Sequence, residues 1–441
     1  MSAQVNPGQI GRANLSRTGD LAAGKPIFDP RDYGAKGDGM AFDTAAVQAA
    51  IDACSASGGG TVVLSGGTFL VKPIELKGGV ELHLEGDARL LGSGDWRDYP
   101  NRDNMRHVVS ADILPRGRDA ALIWADEAEN VSITGEGTID ANGMSFVRKI
   151  SDADRSSVYA NMPQWNYVRC GGYDQSPPRV VFFAGCLGVT VRDVLLTNQP
   201  AGWGFWVHDC DRVVFDRCRI HSDVTFPNND GIHVNASRDV SIRNCTVESG
   251  DDAIVVRCNT RSLHERKTCE RVTVENCDLR SYANCIRVAW CGEGVIRDCS
   301  FSGLTMHDSA CGIGIWFVPK DWNPSGDWGC ERTRIENLAF SGIRMERIHG
   351  APVSVRIFEG AEDAVDSIHN VLFSDFTCRS FWGPCFQGTE KKPLEGIRFS
   401  DCRFIRDPAA APPWKSAEGP YGTTFLHCRA LDFDCCEFDN R

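Results

Sequence analysis

No apolar run in this 441-residue chain approaches the length of a membrane span. Nor is there a basic excess to meet nucleic acid or anionic lipid, since the formal charge is −12 and the pI is near 5.4. Helical periodicity is almost missing. One stretch, Ala45 to Cys54, has apolar residues at helical spacing behind Asp43-Thr44, which favours an all-β solenoid over a chain of α/β domains. The 20 cysteines include no tight Cys-x-x-Cys pairs with histidine at metal-ligand spacing, so a zinc centre is not expected. The start, Met1-Ser-Ala-Gln-Val-Asn-Pro, lacks the basic and then apolar segments of a signal peptide. It predicts a cytoplasmic protein, or a secreted or periplasmic one if a leader was trimmed.

What is present is a short phrase, many times repeated. A polar turn residue or glycine precedes an alternating strand: Asn130-Val-Ser-Ile, Gly188-Val-Thr-Val, Arg212-Val-Val-Phe, Asp239-Val-Ser-Ile, Arg271-Val-Thr-Val, Gly294-Val-Ile, Asn337-Leu-Ala-Phe, Asn370-Val-Leu-Phe and Gly396-Ile-Arg-Phe. The first apolar position recurs at 189, 213, 240, 272 and 295, spacings expected of solenoid coils with loops of variable length. Cys218, Cys245, Cys277, Cys299 and Cys402 follow Asn, Asp or Arg just after such strands and are expected to stack as reduced thiols. The fold class predicted is therefore all-β, a single-domain parallel β-helix over residues 28–441 behind a flexible arm at 1–27. The lone helix would cover the open end of the core. Longer segments at 93–120, 143–178, 258–269 and 317–333 break the rhythm and are the expected walls of a binding site.

The chemistry is concentrated between residues 228 and 257. Asn228-Asn229-Asp230 runs into Ile232 and Val234, and Gly250-Asp251-Asp252 runs into Ile254 and Val256. A separation of 21 residues from Asp230 to Asp251 is that of one coil, which would set Asp230 beside the Asp251/Asp252 pair. Crowded carboxylates cannot all ionise together, so one stays an acid while its neighbours act as bases. That division suits a glycosidic bond, where an acid protonates the leaving oxygen and a base activates water. Period-2 alternation points Arg257 and Arg287 outward on adjacent rungs, where they could clamp an anion. Trp206 and Trp316 point outward by the same rule and could act as platforms for sugar rings.

With these residues in view, the chain resembles the polygalacturonase-like glycoside hydrolases, family 28 of the pectinase superfamily. The likeness runs from Asp32-Tyr-Gly-Ala-Lys-Gly-Asp38 through Ile133-Thr-Gly-Glu-Gly-Thr-Ile-Asp140 and Arg179-Val-Val-Phe-Phe to the two acidic motifs. The resemblance implies a right-handed parallel β-helix and hydrolysis with inversion, with Asp251 as general acid and Asp230 with Asp252 positioning water. Asn228 matches the first residue of the family's Asn-Thr-Asp motif, and Asn229 replaces its Thr. Two family motifs are altered. Gly-His-Gly becomes Ala283-Asn284-Cys285, which removes the site histidine, and Arg-Ile-Lys becomes Gly314-Ile315-Trp316, which removes both carboxylate-binding cations. Plain polygalacturonate is therefore not the expected substrate. His233 and His264 are the nearest substitutes for the lost histidine.

The expected partner is a carbohydrate, a pectin-like or related glycan attacked from an end, with Asn228, Asn229, His233, Arg257, Asn284, Arg287, Trp206 and Trp316 contacting it. No metal or organic cofactor is required. A uronate lyase or epimerase, which would rest on the arginines, and a non-catalytic glycan-binding β-helix are the alternatives.

Overall fold

The computed structural model describes residues 24–99, 120–155, 163–170, 179–265, 267–290, 292–319, 331–414 and 422–439. Most of the predicted arm and much of the loops at 93–120, 143–178 and 317–333 lie outside these ranges. Among the described residues two parallel sheets, of 23 and 11 strands, wind along a right-handed β-helix, and a small antiparallel pair joins Val147–Lys149 to Tyr167–Arg169. The order begins slightly earlier than the sequence suggests, because Ile27 and Phe28 already pair with Thr61 and Val62. The helix Thr44–Ala56 buries Ala46, Val47, Ala50, Ile51 and Cys54 against the first coil and shields that end of the core. Among the described residues no helix is long and apolar enough to cross a membrane.

The repeated phrase has a conformational cause. Asn130, Gly188, Arg212, Asp239, Arg271, Asn337, Asn370 and Gly396 all take φ between +53° and +78°, a left-handed kink that turns the chain from one face of the coil to the next. After each kink the apolar residue enters the core in register: Val189 pairs with Val213, Val213 with Val240 and Val240 with Val272.

The next position corrects the sequence reading. Gly294 carries no left-handed kink and Val295 pairs with Arg334, whereas Asp298 takes φ +54° and Cys299 pairs with Leu338. Asp298-Cys299-Ser300-Phe301 is thus the repeat, with a thiol standing where the other coils have an aliphatic residue. Cys299 accordingly leaves the thiol column to which Cys218, Cys245 and Cys277 belong. The thiols of those three neighbour one another, and the hydrogen bond to the adjacent thiol, followed by burial, raises the pKa of Cys245 and Cys277. All the described cysteines are free.

Two 16-residue strands, Thr333–Ile348 and Val365–Ser380, organise the C-terminal coils. They carry the middle rings, Phe340 and Phe373, of a stacked ladder that runs Phe301, Phe340, Phe373, Phe399 and Phe433 across five strands, with centroids 4.5–5.1 Å apart and planes within about 11° of parallel. Each such pair contributes about 0.5–1.5 kcal/mol beyond its burial, so the ladder holds these coils in register.

Candidate active site

The site lies on the 11-stranded sheet, where Phe205–His208, Ile232–Asn235, Ile254–Arg257, Asn284–Val288, Cys311–Phe317 and Val353–Ile357 are successive strands. Phe205, Ile232, Ile254, Ile286, Ile313 and Val353 stack in register and fill the core. Alternation then turns Trp206, His233, Val255, Arg287, Gly314 and Ser354 outward as one column.

Two residues before each core isoleucine stands a polar group: Asp230 before Ile232, Asp252 before Ile254 and Asn284 before Ile286. The backbone ties them rung to rung, with Gly231 N donating to Asp252 O (3.0 Å) and Ala253 N to Asn284 O (2.8 Å). Asp230 therefore stacks on Asp252, within the pair it was expected to lie beside, while Asp251 sits in the turn next to them. Gly231 permits the close stacking, since a Cβ there would meet Ala253 O and Val247 Cγ1 at 2.5 Å.

Each carboxyl has a different surrounding. Asp251 is partly exposed; its Oδ2 accepts from Asn228 N (3.2 Å) and Nδ2 (3.3 Å), and its Oδ1 from Asp252 N (3.0 Å). Burial, then the charges of Asp230 and Asp252, push its pKa well up, with Arg287 opposing. Asp230 is buried. Its Oδ2 faces His233 Nδ1 at 3.1 Å, and its Oδ1 has no hydrogen-bond partner among the described residues. Desolvation and Asp252 raise its pKa as well, against Arg257 and Arg287. Asp252 is surrounded by donors: its Oδ1 accepts from Asn284 N (3.2 Å) and Nδ2 (2.5 Å), and its Oδ2 from Arg287 Nε (3.3 Å).

Of the residues expected to contact substrate, Asn228 and Asn284 bond directly to the acids, and His233 lies between Asp230 and the ring of Trp203, stacked at 3.9 Å. Asn229 is a correction. Fully buried, it turns inward, its Oδ1 accepting from Gly250 N (2.8 Å) and Asp251 N (3.0 Å) and its Nδ2 donating to Asp223 O (2.9 Å), so it shapes the Asp251 turn. Arg257 is another. It is buried against the fully buried Glu293, 2.5 Å from both Nε and Nη2 to Oε1, and its charge is matched by that carboxylate. Trp206 is a third, because Phe182 stacks on it at 4.2 Å and the Arg179 guanidinium lies 4.1 Å from its ring, leaving it 1% exposed. Trp316 keeps partial exposure and donates from Nε1 to Ser354 Oγ (2.9 Å). His264 is exposed on the turn after Cys258.

Three participants were not anticipated. Trp165, from the interrupting segment 143–178, donates from Nε1 to Gly250 O (2.8 Å) and braces the acid turn. Glu293 and Trp203 had no motif to mark them. Among the described residues no group of three or more His, Cys, Asp and Glu side chains is arranged to hold a metal ion.

The two altered motifs fit each other. A Cβ on Gly314 would lie 2.4 Å from Asn284 Oδ1, so the amide that holds Asp252 occupies the space of any side chain at 314. Trp316 lies beneath the Arg287 guanidinium, 4.3 Å from Cζ to the ring centroid. The cation on this part of the sheet is Arg287, the register partner of Gly314 one rung away.

Comparison with known proteins addresses the family and the fold. The sequence profile of "Glycosyl hydrolases family 28" matches residues 104–368, and that of "Rhamnogalacturonase A/epimerase, pectate lyase-like" matches residues 27–161. A probable polygalacturonase of Arabidopsis thaliana is 25% identical over 86% of this chain and 73% of its own length. An exo-poly-alpha-D-galacturonosidase of Dickeya chrysanthemi is 29% identical over 52% of this chain and 41% of its own length. The crystal structure of a Thermotoga maritima exopolygalacturonase superposes with a TM-score of 0.63 at 18% identity, covering 94% of this chain and 93% of that one, which shows a shared β-helix. With three carboxyls on adjacent rungs and more than half of its length matched by the family profile, this chain belongs to glycosyl hydrolase family 28 and is a glycoside hydrolase.

Proposed function

We propose that the enzyme hydrolyses a pectin-like glycan from a chain end with inversion at the anomeric carbon. The observation that carries this reading is the unequal treatment of the three carboxyls. Asp251, partly exposed and pushed toward its protonated form, gives its proton to the leaving oxygen as the C–O bond breaks. Asp230, whose raised pKa makes it the stronger base once ionised, and Asp252, oriented by Asn284 and Arg287, hold the attacking water and take its proton. Attack from the face opposite the acid inverts the centre, which requires about 6.5–9.5 Å between acid and base carboxyls for the water to fit. The named activities of the Dickeya and Thermotoga relatives support attack from an end.

The test is product analysis on a panel of plant and microbial oligosaccharides, comparing wild type with Asp251→Asn. New reducing ends released one or two sugars at a time, of inverted configuration by proton NMR and lost in the variant, are expected. Ultraviolet-absorbing products would mean elimination and refute hydrolysis.

A further inference from the structure

After the strand Ile397–Arg406 the chain leaves the solenoid, turns through Pro408–Ala410 and runs back along the outside, past the coils of Ser380, Ile348 and Ser309, to Trp414. It adds little core on the way, since Pro408, Ala409, Ala411 and Pro413 are exposed. Its course is nevertheless fixed. His349 Nδ1 donates to Ala410 O (2.9 Å), and Pro412-Pro413 restrict the backbone just before the indole. Trp414 ends edge-on to His349, with ring centroids 5.2 Å apart, and against Tyr282 at 4.7 Å and 58°.

Tyr282 places this aromatic corner beside the acid. It follows Ser281, whose Oγ donates to Asp251 O (2.7 Å) and accepts from Ala283 N (2.9 Å), and its own N–H bonds Ser249 O (3.2 Å). One rung on from the acid turn, then, stand two rings held together before any ligand arrives. Both are partly exposed, and neither Tyr282 Oη nor Trp414 Nε1 is hydrogen-bonded to a described residue. Other tryptophans of the site are already engaged: Trp165 donates to Gly250 O, and Trp206 lies under Phe182.

The chemistry of the corner selects its ligand. A sugar ring offers a face of C–H bonds, which stacks on aromatic carbon, and a rim of hydroxyls, which suits the phenol and the indole N–H. The negative π faces disfavour a carboxylate. The nearby Arg280, 5.7 Å from the Tyr282 ring centroid, does not offset this, because it is paired with Glu248 at 3.7 Å.

We propose that Tyr282 and Trp414 form a preorganised aromatic subsite for an uncharged sugar unit, next to the bond cleaved at Asp251. This rests on the hydrolytic reading above and adds to it a class of sugar recognised outside the three carboxyls.

The experiment measures KM on three oligosaccharides of equal length: unbranched galacturonate, galacturonate alternating with rhamnose, and galacturonate carrying xylose branches. Wild type should favour at least one of the two with uncharged units. Trp414→Ala should raise KM for that substrate about 5- to 30-fold more than for the unbranched one, the loss expected from removing about 40–80 Å² of apolar contact. Trp414→Phe, which keeps a flat ring, should retain most of the preference, whereas Trp414→Leu, which keeps apolar bulk without the flat face, should lose it. Tyr282→Leu repeats the test from the other ring, and melting curves verify that each variant folds. Equal changes on all three substrates, Leu serving as well as Phe, or no preference for uncharged units in wild type, overturns the proposal. If wild type cleaves none of the three the hydrolytic reading fails, and calorimetric binding of the same oligosaccharides still decides the subsite: binding that Trp414→Leu does not weaken, or no binding at all, refutes it.

Discussion

Replacing Asp251 by Asn tests the acid on two independent scales. The catalytic scale is set by the proton: a positioned general acid contributes about 10²–10⁴ in rate, or about 2.7–5.5 kcal/mol of barrier. The structural scale follows from the hydrogen bonds. Both oxygens of Asp251 accept, Oδ2 from the backbone and side chain of Asn228 and Oδ1 from Asp252 N. An amide presents one oxygen and one NH₂, so either orientation sets a donor against a donor, at a cost of about 1–3 kcal/mol in stability. Asp251→Asn should therefore fold with a lowered Tm and lose 10²–10⁴ in kcat. The loss should depend on the leaving group. An aryl glycoside, whose phenolate departs with little protonation, should be slowed far less than an oligosaccharide. In wild type, kcat should fall as pH rises through the elevated pKa of Asp251, because the acid must carry its proton, and this basic limb should vanish in the variant. An equal loss on aryl glycoside and oligosaccharide, with the basic limb intact, would refute the assignment.

Two further outcomes follow from the buried charges. Asp230 has its pKa raised by burial and by Asp252, so its contribution to stability is present below its unfolded pKa and is lost as pH rises toward the folded value. Asp230→Asn should consequently raise Tm at neutral pH and change it little near pH 3.5 while abolishing turnover; a Tm gain that does not grow with pH would contradict this. Glu293→Ala leaves Arg257 buried without its matching carboxylate and should cost about 3–5 kcal/mol by urea denaturation, with Arg257→Met in the same chain recovering part of the loss. Additive losses in the double variant would show that the two residues are not acting as a pair.

The repetition of strands was plain in the sequence because a left-handed residue and a core aliphatic recur together, and Asn130, Arg212, Asp239 and Arg271 behave alike in both. Where the aliphatic is a cysteine, as at Cys299, hydrophobic pattern alone misplaced the coil. The acid cluster was readable as a cluster: a separation of one coil sets Asp230 beside the Asp251/Asp252 pair. Which of the two it stacks on is decided by the strand register, which aligns Ile232 with Ile254 and so Asp230 with Asp252. Alternation predicted direction correctly on strands, as Arg287 shows, but it does not reach the turns: Asn229, which precedes its strand, points inward. What lies over an outward residue is a matter of distant chain. Nothing near Arg257 announces Glu293, 36 residues later, and nothing near Trp206 announces Arg179.

The altered motifs also have to be understood together, and Gly314 shows why. Taken singly, the loss of a histidine, an arginine and a lysine describes a decayed site. In the structure, Asn284, which the family resemblance sets against that histidine, gives two hydrogen bonds to Asp252, and it can do so because nothing projects from residue 314. Restoring a side chain there should therefore damage the site. Even Gly314→Ala places a Cβ 2.4 Å from Asn284 Oδ1 and 3.0 Å from its Cγ, closer than atoms tolerate, so the amide must swing away from Asp252. Losing a hydrogen bond to a charged group costs about 1.5–3 kcal/mol, which predicts a 10- to 100-fold drop in kcat for Gly314→Ala and at least as much for Gly314→Arg, the family residue. Undiminished kcat in Gly314→Ala would show that Asn284 does not hold Asp252 for catalysis. Asn284→Ser separates the two effects: it frees the space and removes the Nδ2 bond. Adding Gly314→Ala to Asn284→Ser should then cost little, because the atom it collides with is gone.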